Sequence, residues 1–260
     1  MINKLSKLSI GTSAYGSRVS DIESIKIIKK LLDSGITKID TSPFYGFGYS
    51  EYNVGKSIQN YNRENLSISS KFGITAQKIP NLVRRFYPVV KKLYSIPGLN
   101  KLVKNKVVIK NDEILSLEQI QQSISRSLYN LNTTYLDCLH IHTNLISYLS
   151  NEGVVDYLYE LKNKFVINKI GITASKIDDE FLKIISDNNN FIDIIQIPYK
   201  EYSEDFNLKF KVNYYSIFSS NSFIEHQFIQ NYHTNNGDFI ILNTNLAKVE
   251  KRINHFNKIL

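Results

Sequence analysis

Four side chains of complementary chemical type stand at or just past the ends of apolar, β-rich runs. Asp40 falls near the end of ITKIDT, and Tyr45 follows five residues later within SPFYGFGYSE. Lys71 stands near the end of LSISSKF, and His142 closes YLDCLHIH. A phenol with its ordinary pKa near 10 is a poor base at neutral pH but a usable acid. An ammonium beside it favours the phenolate, and a carboxylate on that ammonium holds the charge in place. Brought together, an acid, a phenol, a cation and an imidazole form a proton-transfer site of preorganised charges.

Taken singly, each residue has an ordinary structural role. Asp40 can cap a turn, and Tyr45 is one of 17 tyrosines. A lysine such as Lys71 more often snorkels to solvent than works in catalysis. His140 and His142 can be core histidines satisfied by their neighbours, and His140 keeps that reading. Cys138 reads as an inert core residue. The conjunction of four types, and not any one of them, raises the functional reading above the structural one.

What must position these groups is a repeating pattern of strands and helices. Strand candidates are KLSIGT (7–12), ITKIDT (36–41), LSISSKF (66–72), YLDCLHIH (135–142), NKIGIT (168–173), FIDIIQIPY (191–199), KVNYYSIF (211–218) and DFIILNT (238–244). Between them, apolar residues recur at helical spacing: Ile22, Ile25, Ile28, Leu31 and Leu32 in one segment, Ile120, Ile124, Leu128 and Leu131 in another. Further helical segments cover Glu180 to Ile185 and Val249, Ile253 and Phe256, and one opens at Ser50-Glu51. Ser20-Asp21, Ser116 with Gln119, and Asp178 mark helix starts. Eight strands, most followed by a helix, predict a (β/α)8 TIM barrel, whose strand C-termini converge on one mouth. Asp40, Tyr45, Lys71 and His142 all fall at that end. With no linker in sight, residues 1–260 read as one domain.

The rhythm breaks once. About 74–116, some 45 residues separate the third strand from its helix, which predicts a folded insertion at the mouth. Residues 74–110 carry nine basic side chains, including Arg84 and Arg85, and no acidic one. The whole chain has net charge +8, so the remainder is close to neutral. That distribution favours a local anionic contact over general coating of nucleic acid. One cysteine excludes an internal disulfide and a cysteine-based metal site. No run of about 18 apolar residues is present to span a membrane. The first residues, MINKLSKLSI, lack the apolar core and cleavage site of a signal peptide. Together these features point to a cytoplasmic protein.

The stretches IDTSPFYGFGYSEYNVG, SSKFG and LYNLNTTYLDCLHIHT resemble the aldo-keto reductase family. IGITAS, IIQIPY, NYYSIF and LNTNLAKVEKRI extend the resemblance over essentially the whole chain. DTSPFYG is closest to members acting on free sugars. The resemblance implies a nicotinamide-dependent interconversion of carbonyl and alcohol, with NADP or NAD as cofactor and no metal. Tyr45 would donate the proton, Lys71 would tune it, Asp40 would pair with Lys71, and His142 would hold the substrate oxygen. Gly11, Thr12, Thr173, Gln196, Tyr215, Ser216, Asn243 and Thr244 would bind the cofactor, with Gln196 on its carboxamide and Tyr215 stacked on its ring. Ala174 stands where asparagine is common, so one amide hydrogen bond is in question. Lys248 and Arg252 are the candidates to grip a 2′-phosphate. Tyr15, Arg84 and Arg85 would face a small carbonyl or sugar substrate, an anionic one being an option. A monomer is favoured, without nucleic-acid partners. The competing reading is a nucleotide-binding regulatory protein on the same fold, with little turnover.

Overall fold

The computed structural model describes residues 4–74, 114–142, 146–188, 190–218 and 225–260. Eight parallel strands close into a barrel in chain order: β1 (Leu8–Gly11), β2 (Lys38–Asp40), β3 (Ser67–Phe72), β4 (Cys138–Ile141), β5 (Ile170–Thr173), β6 (Ile194–Pro198), β7 (Val212–Tyr215) and β8 (Phe239–Leu242). β1 pairs with β8 through Leu8–Phe239 to Gly11–Leu242, so the sheet has no free edge. The strands are shorter than the apolar runs that announced them. Residues at the run ends, such as Thr41 and Ser216, already belong to the turns that shape the mouth.

The helices among the described residues are α1 (Asp21–Asp33), α2 (Ser50–Ile58), α3 (Leu117–Leu131), α4 (Glu152–Asn163), α5 (Asp179–Asp187), α6 (Glu204–Lys209), α7 (Glu225–Thr234) and α8 (Leu246–Ile259). Their apolar stripes cover the barrel: Ile27, Ile28 and Leu31 of α1, Ile120 and Ile124 of α3, Phe181 and Ile185 of α5, and Val249 and Phe256 of α8 are all buried. Each such side chain contributes about 1.5–3 kcal/mol by leaving water. The expected caps are present. Ser20 accepts from the Glu23 amide at 3.3 Å, and Asp178 from the Phe181 amide at 3.0 Å. Ser116 and Gln119 form a reciprocal capping box. An N-cap is worth about 1 kcal/mol.

Register sets the site. Gly11 pairs with Asp40, Asp40 with Ser69, Lys71 with His140, and Thr173 with Gln196, placing these residues near the C-terminal ends of neighbouring strands. Among the described residues, no helix is long and apolar enough to cross a membrane. Residues 75–113 of the expected insertion, which carry its basic run with Arg84 and Arg85, lie outside the described residues.

Candidate active site at the barrel mouth

The foundation of the site is a buried ion pair. Lys71 Nζ donates to Asp40 Oδ1 at 2.6 Å and to the Thr41 carbonyl at 3.0 Å. The two side chains are only 1% and 8% exposed, so the pair is shielded from solvent. Burial alone would lower the lysine pKa, but attraction to Asp40 and Tyr45 outweighs it and holds Lys71 above the ordinary lysine range. Lys71 is a charged group fixed under the mouth and not a snorkelling one.

Tyr45 opens a short 3-10 turn, Tyr45–Gly48, between β2 and α2. The turn requires glycine at its second position. Gly46 has φ +59°, and a Cβ there would lie 1.9 Å from the Tyr15 carbonyl oxygen. The close backbone approach presses the tyrosine loop onto the β1 loop. Ser50, at the start of α2, reinforces the junction by donating to Thr12 Oγ1 at 2.8 Å, and Thr12 donates to the Asp40 carbonyl at 3.0 Å. Lys71 Nζ lies 5.0 Å from the centroid of the Tyr45 ring. Burial pushes the Tyr45 phenol above its ordinary pKa. Lys71 pulls it back by charge and hydrogen bonding, and Asp40 adds to the rise. From charge alone the lysine is expected to win; desolvation is larger. The phenol is therefore protonated at neutral pH, as a proton donor must be.

His142 faces Tyr45 edge-on, with ring centroids 6.0 Å apart, and its Nδ1 is 3.4 Å from Ser42 Oγ. Burial, then the Lys71 charge, drives its pKa down to about 3. It is a neutral imidazole at pH 7, able to donate one hydrogen bond and accept another. His140 lies deeper, fully buried, in a space that exists because Gly171 opposite it has no side chain. Of the neighbours expected to satisfy His140, the Ile172 backbone acts on it, but neither ring nitrogen makes a well-formed hydrogen bond among the described residues. Burial and the Lys71 charge hold its pKa well below the usual histidine range, against a weaker opposing influence of the Ile172 backbone. Cys138 is buried, and burial pushes its thiol pKa up, which leaves it unreactive.

The mouth is a cavity of about 570 Å³, within the range of small-molecule sites. Asp40, Tyr45, His142, Gly11, Thr12, Thr173, Gln196, Tyr215, Ser216 and Thr244 all line it. Thr173 Oγ1 donates to Gln196 Oε1 at 2.8 Å, and Gln196 Nε2 donates to Asp40 Oδ1 at 2.9 Å. Tyr215 is half-buried on the wall, its hydroxyl donating to the Ala174 carbonyl at 2.9 Å. At this position the chain offers a backbone acceptor, without the side-chain amide that asparagine would bring.

Two expected residues are placed differently. Tyr15, in the loop after β1, is fully buried and does not line the cavity. Asn243 sits beneath the rim, where its Oδ1 accepts from Arg252 Nη1 at 2.9 Å. Arg252 also donates to the Leu242 carbonyl at 3.0 Å and covers the Phe218 ring at 5.1 Å. Sequence reasoning missed Arg18, Ser13 and Phe218, which line the mouth; loop residues without a periodic pattern give no signal. It also missed Glu51, a fully buried carboxyl that accepts from Ser70 Oγ at 2.6 Å and whose pKa burial raises. An acidic residue opening a helix reads as a surface residue until tertiary packing covers it.

The aldo/keto reductase family model matches residues 7–211. Over 203 residues the chain is 28% identical to an NADH-specific methylglyoxal reductase of Escherichia coli, covering 75% of this chain and 55% of that one. It is also 28% identical over 185 residues to D-arabinose 1-dehydrogenase of Saccharomyces cerevisiae, covering 67% of this chain and 44% of the other. The chain thus spans about half the length of these curated relatives. Among solved structures, an aldo-keto reductase from Klebsiella pneumoniae in complex with NADPH superposes with a TM-score of 0.66 at 15% identity, covering 98% of this chain and 86% of that one. The match of the family model to most of the chain, on a closed eight-stranded parallel barrel, shows that this chain belongs to the aldo/keto reductase family.

Proposed function

We propose that the protein is an NAD(P)(H)-dependent oxidoreductase that interconverts a carbonyl and an alcohol, with a sugar or small sugar derivative as substrate. One observation carries the reading: Tyr45 stands over the buried Lys71–Asp40 pair and faces His142 edge-on at the mouth. A nicotinamide nucleotide, when bound, supplies or accepts the hydride. The protein's own residues supply the proton and the geometry. Tyr45 gives its phenolic proton to the substrate oxygen as negative charge develops there, and Lys71 stabilises the resulting phenolate. Asp40 keeps the ammonium charged and in place. His142, being neutral, holds the same oxygen by a hydrogen bond without competing as an acid.

The residues present fit a nicotinamide nucleotide. Gln196 has used one amide N–H and one carbonyl lone pair, and keeps one of each for a carboxamide. Tyr215 offers a ring on the wall, and the buried Asn243 Nδ2 has no partner among the described residues. Support for the cofactor comes from the relatives, one named as NADH-specific and one structure holding NADPH. Support for a sugar substrate comes from the D-arabinose dehydrogenase and from DTSPFYG. The nine cations of residues 74–110 favour a substrate bearing an anionic group.

The test is a titration of nicotinamide fluorescence with NADH and NADPH, followed by turnover on a panel of aldoses, aldehydes and their phosphates. Binding with turnover supports the enzyme. Binding without turnover on any member returns the regulatory reading, and absence of binding overturns both.

A further inference from the structure

The residues assigned to cofactor and to proton form one hydrogen-bonded chain. It runs from Thr173 on β5 through Gln196 on β6 to Asp40 on β2, and then to Lys71 on β3. Gln196 Nε2 and Lys71 Nζ donate to the same oxygen, Asp40 Oδ1, at 2.9 and 2.6 Å. Gln196 is 1% exposed, yet part of it reaches the mouth. Its amide therefore has one N–H committed to the ion pair and one Oε1 lone pair to Thr173, which leaves one N–H and one lone pair for a ligand. Building on the oxidoreductase reading, we propose that Gln196 is a positioning residue that couples the nicotinamide carboxamide to the Asp40–Lys71–Tyr45 relay, so that nucleotide binding and ionisation of the relay are thermodynamically linked.

The sign follows from hydrogen-bond polarisation. A ligand N–H donated to Gln196 Oε1 strengthens donation by Nε2 to Asp40, because bonds through one amide are cooperative. Asp40 then holds less free negative charge. Since that charge raises the Tyr45 pKa, its partial neutralisation makes Tyr45 the stronger acid when nucleotide is bound. Linkage is reciprocal, so nucleotide binds more tightly once the relay loses its proton. The other titratable groups facing the relay are Glu51 on α2, Cys138 and His140 on β4, His142 just past β4, and Tyr215 on β7. The two histidines are neutral above pH 7, the Tyr215 phenol is pushed up to about 12, and burial pushes the Cys138 thiol well up, so none of these four titrates between pH 7 and pH 10. Glu51 is a carboxyl that only burial raises, and substitutions at Gln196 or Thr173 do not touch it.

The experiment uses the full chain, NADH or NADPH as probe, and two readouts. One is the dissociation constant at pH 7 and pH 10; the other is the alkaline limb of the reduction rate. In the wild type, the dissociation constant should fall measurably from pH 7 to pH 10, approaching about a threefold fall only once the relay has fully lost its proton, the equivalent of a shift of about half a pH unit in one linked group. Gln196→Met removes the donor to Asp40. It should flatten that dependence and move the alkaline limb upward by about half a pH unit. Gln196→Glu places a second carboxylate against Asp40 and should move the limb further in the same direction. If the Met variant does not fold, Thr173→Val frees Gln196 Oε1 without removing the amide, and should give a smaller shift of the same sign. A residue that only packs would not order the variants in this way. Identical pH dependence of the dissociation constant in wild type and variants overturns the coupling. Binding without turnover on the panel overturns the enzyme reading alone, because the binding measurement still decides the coupling.

Discussion

Replacing Lys71 by methionine leaves the Asp40 carboxylate buried with its cation gone and Gln196 as its remaining side-chain donor among the described residues. The two side chains are 1% and 8% exposed, so solvent cannot take over the lost role. Breaking a buried pair from one side costs about 3–5 kcal/mol, mostly from the charge left behind. For a chain of this size, each kcal/mol moves the melting midpoint by about 2–4 °C, so Lys71→Met should melt about 6–20 °C below wild type. Asp40→Asn strands the opposite charge and should cost a similar amount. In the double variant no charge is stranded, and the introduced asparagine can still accept from Gln196. Additivity would predict a loss of about 6–10 kcal/mol, whereas the double variant should lose no more than either single one. Urea or thermal unfolding of the four proteins measures this directly. Additive losses would refute the idea that the two residues act as one buried unit.

Other consequences follow from the same geometry. His142 and His140 are neutral in the folded protein, whereas histidines of the unfolded chain titrate near 6.5. Their contribution is fully present above that pH and is lost as pH falls below it, for His142 toward about 3, at up to about 1.4 kcal/mol per pH unit for each; denaturant titrations between pH 7 and 4 should show the slope, and His142→Asn and His140→Asn should each reduce it. Gly46→Ala forces a Cβ to 1.9 Å from the Tyr15 carbonyl at φ +59°. It should destabilise by about 2–3 kcal/mol or more and lower kcat by displacing Tyr45, as read by melting and steady-state rates. Arg84→Ala with Arg85→Ala should raise KM for a phosphorylated substrate at low salt and spare kcat, with the difference vanishing near 1 M salt, where the Debye length is about 3 Å.

Much of this site was legible before any coordinates. Asp40, Lys71 and His142 each sit near the end of a β-rich run, and strand periodicity with the barrel pattern places such positions at one mouth. The helix starts at Ser20, Ser116 and Asp178 were legible because a cap is written in residues three apart. What sequence could not show depends on separation or on competition between forces. Gln196 and Asp40 are 156 residues apart, and no local pattern announces their bond. Tyr15 was expected to face substrate. Its ring turns inward instead, where the core gains its apolar surface. The direction of the Tyr45 shift needed burial, which a charge argument alone omits. Helices α4, α6 and α7 escaped notice, although α4 buries Val154, Leu158 and Leu161 in a helical stripe that its sequence does carry.

The central claim is that Tyr45 delivers the proton. Its most direct test is Tyr45→Phe, which keeps the ring against His142 and over Lys71 and removes one oxygen. Steady-state reduction of the best substrate in the panel should show kcat lowered by about 10²–10⁴-fold. Fluorescence titration of the same variant should give an NADH or NADPH dissociation constant within a few-fold of wild type. Near-normal kcat in a folded variant that binds nucleotide would contradict the account and move the proton donor to another group, His142 first.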